Sequence, residues 1–485
     1  MAIRRTGLTA ARKAAGYTQE SLAAALNVDR STVIRWEAGE YAPLPYLRPK
    51  LARLLQQTPA RLAEFLDGPD TSRRELSPDI DAACVWLDDR LGRKFGTVRR
   101  EVNALLDRAG DEFQTRRARR SRVKRSDIAR ALKVYYDVDN SPYETYTARL
   151  GGQEFETSIL TRPEWFNLNI PLTPDRDRLR LSTTSTLPRI EIDEARAVRR
   201  LAEAEALGIR LTDQPLYRLL SIDLQQGSIC GTVALTSFLE YALTMDLLEG
   251  ELLDALTEGR AVHPGSLPLR DQYLPDLDSV ACLGERVCAG GVLALFTVAD
   301  SAVSPSLAHQ RLVIQQRSSQ VVNTGGQLSV VPKGFHQPLS DYRSDTSLRG
   351  SLLRELEQEL FGRNDLDATN EIQRAASPMH PSRLSTPMKW ITTKEGRLET
   401  KCGGLGLNLI SGNYEFACMI TIREQQFWPR FGGSLEANWE AKGLKTINNP
   451  DAATLLSLAS NPHWCNEGIF ALTCSLDFIT MPTHA

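Results

Sequence analysis

Two carboxylates in the segment RELEQELFG, residues 354–362, have the spacing best suited to chemistry in this chain. Glu355 and Glu359 are four positions apart, which places both on one face of an α-helix. Carboxylates on one rigid turn supply the hard oxygen ligands that Mg²⁺ takes, while water and phosphates fill its remaining positions. Glu355 and Glu359 are therefore candidate metal ligands. The alternative is an acidic, solvent-facing helix that holds no ligand.

Three residues upstream of the acidic helix are candidates for binding a phosphate-bearing ligand. Arg317 follows an apolar run, and Lys333 and Gly334 form a turn before the helix. A basic side chain can neutralise phosphate charge if it lines the same cleft as the acids. We therefore treat Arg317, Lys333 and Gly334 as candidate ligand-binding residues. Either cation could instead be an ordinary surface charge.

From about Val287 the sequence alternates between strand patterns and turns. VLALFTVAD, RLVIQQRS and QLSVVPKGF precede the acidic helix, and YEFACMITI and FALTCSLDFI are predicted strands that follow it. This order resembles the Nudix fold, whose signature ends in Arg-Glu-apolar-x-Glu-Glu-x-Gly. Arg354, Glu355, Leu356 and Glu359 match that pattern. The resemblance implies an α+β domain with a mixed sheet over residues 281–485.

The signature is degenerate. Gln358 stands where the pattern has the first of its paired glutamates, and Gly362 falls one residue late. The resemblance implies magnesium-dependent cleavage of nucleoside diphosphate-linked compounds. Such hydrolysis needs metal ions that neutralise the phosphates and polarise the attacking water. A neutral Gln358 removes one metal ligand. We therefore predict binding of a nucleotide-like ligand without turnover. The alternatives are a diphosphate hydrolase with an accessory DNA-binding head, and a purely structural domain.

The N-terminal run TQESLAAALNVDRSTVIRWEAGEYAP carries a second pattern. Thr18 and Asp29 each precede a short helical pattern and are predicted N-caps. Asn27 lies at the turn between the two helices, where asparagine tolerates the left-handed conformation. Val33 and Trp36 are three positions apart and share the inner face of the second helix.

This pattern resembles the Cro/C1-type (XRE) helix-turn-helix domain and predicts an all-α domain over residues 1–68. The resemblance implies that the third helix enters the major groove of double-stranded DNA. The residues implied in DNA contact are Gln19, Arg30, Ser31, Thr32, Ile34 and Arg35. The alternative for the two arginines is that they are solvated surface cations.

The middle of the chain is predicted to contain a linker at 69–80 and a mainly helical connecting or dimerisation region at 81–280. Within that region, VALTSFLEYALTMDLLEGELLDALTEG has the pattern of a buried helix or a subunit contact, and 141–190 has strand patterns. The run RRARRSRVKR, residues 116–125, carries seven cations in ten positions. It is either a source of salt-dependent phosphate contacts or a solvated connector.

Length and composition limit the possible classes of protein. A chain of 485 residues exceeds a single hydrophobic core. A net charge of −2 excludes a uniformly basic nucleic-acid coat, and no apolar run is long enough to span a bilayer. We interpret the chain as a multidomain, cytoplasmic, homodimeric transcription regulator. It would have a helix-turn-helix head, a mostly helical middle and a degenerate Nudix-like C-terminal domain.

Overall fold

The computed structural model describes residues 5–44, 47–67, 75–183, 188, 190–224, 227–299, 310–322, 324–363 and 379–480. The chain divides into two compact units, residues Met1–Ala109 and Gly110–Ala485. They are called unit 1 and unit 2 below. The helix Thr97–Arg120 runs through this division, and Ala109 interrupts it with non-helical angles (φ −137°, ψ 16°).

Unit 1 begins with five short helices. They are α1 (Thr6–Ala14), α2 (Gln19–Leu26), α3 (Arg30–Ala38), α4 (Arg48–Leu54) and α5 (Pro59–Asp67). Their apolar faces form one buried cluster that includes Leu22, Leu26, Val33 and Trp36. The predicted inner face of α3 is therefore confirmed, and the all-α fold of this region with it.

The helix ends follow the sequence closely. Thr18 accepts a hydrogen bond from the backbone N–H of Ser21, which forms a capping box at the start of α2. Asn27 ends α2 in the left-handed conformation (φ 58°), as predicted. Asp29 occupies the N-cap position of α3, but its side chain makes no capping hydrogen bond. Gly39 ends α3 at φ 79°, a region that glycine enters without steric strain.

Two further helices begin in unit 1, α6 (Pro78–Arg90) and α7 (Thr97–Arg120), and α7 continues past Ala109 into unit 2. Asp88 joins them because its carboxylate accepts the backbone N–H groups of Gly96 and Val98, at 2.7 and 3.0 Å. The linker predicted at 69–80 ends earlier than expected, since α6 already begins at Pro78. Residues 68–74 lie outside the described ranges.

Unit 2 is built on a mixed sheet. Its strands are β1 (Glu144–Leu150), β2 (Gln153–Thr161), β3 (Phe166–Pro171), β4 (Asp177–Leu181), β5 (Pro215–Asp223), β6 (Ile229–Ser237), β7 (Gly290–Ala299), β8 (Gln310–Arg317), β9 (Leu328–Val330), β10 (Lys333–Phe335), β11 (Leu398–Asn408), β12 (Tyr414–Ile422) and β13 (Ala441–Asn448). The large sheet has the order β1-β2-β11-β12-β7-β8-β13, with β3, β9 and β10 paired onto β11, β8 and β7. Strands β4, β6 and β5 form a second, smaller sheet.

Helices cover both faces of the large sheet. The helices of unit 2 after α7 are α8 (Arg125–Tyr135), α9 (Glu194–Leu207), α10 (Phe238–Ala242), α11 (Leu247–Thr257), α12 (Pro268–Tyr273), α13 (Leu277–Ala281), α14 (Leu348–Glu359), α15 (Thr386–Thr393), α16 (Phe427–Phe431), α17 (Ala452–Ala459) and α18 (Asn466–Thr480). In β7, Leu293 belongs to the same buried cluster as Phe470 of α18. Its neighbour Val292 belongs to the opposite cluster, with Leu356 of α14. Burial on both faces explains why β7 is an unbroken apolar run.

The structure corrects three sequence predictions for unit 2. The boundary expected at residue 281 lies inside one sheet, because β2 and β3 pair with β11. In the middle region, β1 to β4 confirm the strand patterns of residues 141–190, and β5 and β6 are further strands that were not predicted. The segment FALTCSLDFI, predicted to be a strand, lies in α18, and VALTS ends β6 instead of starting a helix. Short apolar runs carry no period that separates a buried strand from a buried helix.

Candidate functional site

The outer surface of α3 presents the predicted DNA-contact residues. Arg30, Ser31 and Arg35 are exposed, and Thr32 is half-buried. Ile34 is 41% exposed, although it is a large apolar side chain. The guanidinium of Arg35 has loose partners. Its Nε lies 3.8 Å from the Glu40 carboxylate, with both side chains more than half exposed, and its Cζ lies 6.0 Å from the centre of the Tyr41 ring. This surface therefore keeps hydrogen-bond donors and an apolar group in water.

Gln19 has a different placement, in contact with the buried Glu37 of α3. Its Nε2 donates to the Glu37 carboxylate at 2.7 Å, and Arg12 Nε donates to the same carboxylate at 2.7 Å. Burial would raise the pKa of Glu37, but the hydrogen bonds from Arg12 and Gln19 lower it below its ordinary value. Gln19 thus ties the start of α2 to the last turn of α3.

In unit 2, α14 carries the acidic residues of the degenerate signature, and Glu355 lies directly against Gly334. A Cβ atom at residue 334 would lie 2.2 Å from the Glu355 carboxyl carbon, so any larger residue there would have to displace the Glu355 carboxylate. Arg354 Nη2 donates to Glu355 at 2.7 Å and to the carbonyl of Phe335 at 3.1 Å. The Glu355 carboxylate is therefore fixed between β10 and its own neighbour on the helix.

Glu359 is fully buried in the same region. Its carboxylate accepts the backbone N–H of Lys333 at 2.7 Å and a hydrogen bond from Arg317 at 3.3 Å. Burial and the nearby Glu440 raise the pKa of Glu359 well above its ordinary value, although Arg317 opposes that shift.

The two predicted metal ligands thus already have protein partners. A buried, readily protonated Glu359 and an arginine-paired Glu355 fit Mg²⁺ poorly, because the cation needs ionised oxygens that face it. Across the described ranges, no group of three or more His, Cys, Asp or Glu residues is placed to hold a metal ion. Magnesium binding stays a prediction.

A cavity opens beside α14 and β10. Its lining includes all three predicted ligand-binding residues, Arg317, Lys333 and Gly334, together with Glu355 and Gln358. About 170 Å³ of it is open to the centre of a water molecule, whereas one water needs roughly 10–15 Å³ on that measure. The cavity therefore has room for a small organic molecule.

Sequence reasoning missed the inner wall of this cavity. It is formed by Asn408 at the end of β11, Asn413 in the turn before β12, Glu415 at the start of β12, and Glu467 at the start of α18. Burial, and then the charge of Glu467, raise the pKa of Glu415 to about 8. Lys333 Nζ lies 2.5 Å from Glu467. The available signal was a glutamate within the apolar strand YEFACMITI, because a buried carboxylate needs partners.

The basic run at 116–125 is partly built into unit 2. Arg120 Nε donates to Asp254 at 2.7 Å and its Nη1 donates to Glu203 at 2.8 Å, while Arg116 also binds Asp254. Burial alone would raise the pKa of Asp254, but the hydrogen bonds from these arginines lower it to about 2. Arg116 and Arg120 therefore act as structural cations. Neither alternative drawn from the sequence, phosphate contact or a solvated connector, describes them.

Comparison with known proteins bears on unit 1. A family model described as helix-turn-helix matches residues 8–62. No curated protein matches the chain. Residues 8–62 are similar to a helix-turn-helix domain, as the XRE resemblance predicted, and this similarity supports a DNA-binding transcription regulator. Over the described ranges, no helix is both long and apolar enough to cross a membrane.

Proposed function

We propose that this chain is a transcription regulator that binds double-stranded DNA through α3 and is controlled by a small molecule bound in the cavity of unit 2. The observation that carries the DNA-binding part is the exposed surface of α3. An arginine can bind guanine through two hydrogen bonds, and an apolar group can contact the thymine methyl. Arg30, Arg35 and Ile34 present both kinds of group to solvent.

Gln19 acts differently from the other predicted contacts. Because its amide nitrogen already binds Glu37, we assign it to orienting α3 and to contacts with the DNA backbone. A homodimer is part of the proposal, because one helix-turn-helix head covers only a half-site of a symmetric operator.

Ligand control requires unequal affinity for two states. A ligand shifts the balance between DNA-competent and DNA-incompetent forms only if it binds one of them more tightly. The cavity supports a ligand site because polar side chains from β8, β10, α14 and β12 converge on it. The Nudix resemblance implies a nucleotide-like ligand, and nucleotides belong in the test for that reason.

The DNA-binding part is tested by selecting sequences from a random double-stranded library with the full-length protein, then measuring affinity for the selected sequence. We expect Arg30→Ala and Arg35→Ala each to weaken binding by about tenfold or more, since a good arginine–base pair contributes roughly 1–3 kcal/mol. Arg100→Ala is the matched control, because Arg100 is exposed and lies outside residues 8–62. Equal losses for selected and scrambled DNA would contradict sequence reading by α3.

A diphosphate hydrolase with a DNA-binding head is the second candidate, favoured by the cavity beside the acidic helix. Its test is release of phosphate or nucleoside monophosphate from dinucleotides and nucleotide sugars with Mg²⁺. Activity that disappears in Glu355→Gln and Glu359→Gln would establish it. Binding of such compounds without release would favour the regulator.

A further inference from the structure

Asn413 brings an unsatisfied hydrogen-bond acceptor to the inner wall of the cavity. The residue is 4% exposed, and its Nδ2 donates to the Tyr241 hydroxyl at 3.1 Å. Its Oδ1 is buried and, among the residues that the structure describes, has no hydrogen-bond partner. A buried acceptor without a donor is destabilising. The inner wall therefore favours an occupant that donates a hydrogen bond.

The charges that line the cavity have an acidic excess. The carboxylates among the described lining residues are Glu249, Glu355, Glu415, Glu440 and Glu467, and the cations are Arg210, Arg317 and Lys333. Two of these cations are already neutralised by carboxylates within the unit. Arg317 lies 3.3 Å from Glu359 and 3.4 Å from Glu440, and Lys333 lies 2.5 Å from Glu467. The excess develops as Glu249 and Glu415 ionise, with pKa values of about 7 and about 8. Above about pH 8 an anionic ligand would meet net repulsion here, whereas a cation would be attracted.

Aromatic rings continue the wall beyond Asn413. The Tyr241 ring, whose hydroxyl binds Asn413, lies 5.2 Å from the Phe335 ring, and Phe335 lies 5.7 Å from Phe238. Phe335 and Phe238 both line the cavity. Ring faces attract cations as well as apolar groups. An acceptor, an acidic surrounding and adjacent rings together describe a site for an amine attached to an apolar body.

We infer that the cavity binds an organic cation, a small molecule whose protonated amine donates to Asn413 Oδ1 and Glu415 while its apolar body packs on Phe238 and Phe335. This inference rests on the proposed ligand site of unit 2. It replaces the nucleotide-like ligand by a cationic one, and it needs no metal ion.

The proposed site also has a pH signature. Burial and Glu467 raise the pKa of Glu415, while Lys333 and a hydrogen bond from Asn408 lower it, to a net value of about 8. The buried thiol of Cys288 also faces Glu415, and the pKa of that thiol is raised by burial. An amine binds best to the ionised carboxylate, so its binding displaces a proton. Affinity for an amine should rise between about pH 6 and 8, and affinity for an anion should fall.

The experiment is calorimetric titration of the full-length protein without DNA. The probes are phenethylamine, tyramine and spermidine, with hydrocinnamate as the anionic counterpart of phenethylamine, and ADP with and without Mg²⁺. We expect binding heat from at least one amine at millimolar concentration. Titrations in buffers of different ionisation enthalpy should show that this binding releases protons. Hydrocinnamate should give neither binding heat nor proton release. No binding by any of the three amines, or binding of ADP in preference to them, would overturn the inference.

A gain-of-function variant separates binding from folding. Asn413→Asp turns the unsatisfied acceptor into a carboxylate, so it should tighten amine binding by roughly tenfold, since hydrogen bonds to charged groups are about twice as strong as neutral ones. Asn140→Asp is the control because it adds the same charge at an exposed site that does not line the cavity. Equal responses of the two variants would contradict the assigned site. Amine binding without any effect on DNA affinity would uphold the cation site and reject ligand control.

Discussion

The two units hold their charged residues in opposite ways. In unit 1, Arg30 and Arg35 of α3 stand in water, where they can meet a polyanion. In unit 2, Arg120, Arg317 and Lys333 are drawn into contact with carboxylates. DNA recognition needs cations whose charge is available to phosphate and bases, whereas a small-molecule cavity needs polar groups already fixed in place. If α3 is the DNA-binding surface, as proposed, the density of basic residues along the chain does not locate it.

Arg120 is the cation of unit 2 whose loss should have the largest effect on stability. Arg120→Ala leaves Asp254 and Glu203 with fewer partners at a largely buried site, so we expect a loss of about 3 kcal/mol in the free energy of unfolding of unit 2. Arg119→Ala should change it by less than about 0.5 kcal/mol, because Arg119 is exposed. Denaturant unfolding of the two full-length variants measures both effects.

The same pair of variants tests the phosphate-contact alternative. If the basic run bound DNA, Arg119→Ala would lower the dependence of affinity on salt concentration by about one released counterion. If the DNA affinity of Arg119→Ala kept the wild-type salt dependence and Arg120→Ala lost stability, the buried arginines of the run would be assigned to folding alone.

The second prediction concerns alkaline pH and unit 2. The pKa of Glu415 is about 8 and that of Glu249 about 7, both raised by burial. A raised carboxyl pKa means that the folded state holds a proton which the unfolded state has released. Stability is therefore highest near the ordinary glutamate pKa and falls as pH rises through the folded values. We expect a loss of roughly 2 kcal/mol between pH 6 and 8 from Glu415, because the slope of about 1.4 kcal/mol per pH unit flattens as the folded carboxyl titrates near pH 8.

Glu415→Gln should flatten this pH profile, because the amide keeps the shape of the protonated acid. Hydrogen exchange of β7 and β12 in the full-length protein reports the stability of the sheet in each buffer. Glu424→Gln is the control, since the pKa of the Glu424 carboxylate is lowered by Lys394 and it does not titrate in this range. A wild-type slope in Glu415→Gln would assign the pH response to other groups.

These two units also differ in what the sequence could reveal. Thr18, Asn27 and Val33 form their cap, turn and core within a short stretch, so local rules predict them. The cavity assembles Gly334, Glu355, Glu415 and Glu467 from distant positions by strand pairing, which no local period encodes. The candidate residues Arg317, Lys333 and Gly334 were found because they flank the acidic helix. Asn413 was not, because a turn asparagine has no distinguishing pattern.

In unit 1 we expect the stability to depend on pH in the opposite direction from unit 2. Hydrogen bonds from Arg12 and Gln19 lower the pKa of Glu37 against the effect of burial, so the stabilisation is present above the ordinary glutamate pKa and is lost as pH falls through the folded value. Glu37→Gln should remove this acid sensitivity. It should also lower stability near neutral pH by roughly 1.5–2 kcal/mol, the contribution of a charge-assisted hydrogen bond.

Hydrogen exchange resolved by region separates the two responses in one protein. Peptides from α2 and α3 should lose protection on acidification, while peptides from β7 and β12 should lose it on alkalinisation. If both regions lost protection from exchange at the same end of the pH range, the two units would not hold their charged residues in opposite ways.

The smallest expected change in stability concerns the two N-cap residues of the helix-turn-helix. Thr18 accepts the backbone N–H of Ser21, whereas the Asp29 side chain makes no such bond. Thr18→Ala should therefore lower the free energy of unfolding by about 1 kcal/mol, and Asp29→Ala by only the few tenths of a kcal/mol that a carboxylate contributes at a helix N-terminus. Hydrogen exchange of α2 and α3 in the two variants measures each loss at its own helix. Equal losses would show that Asp29 caps α3 in solution, and the starts of the two helices would then be built alike.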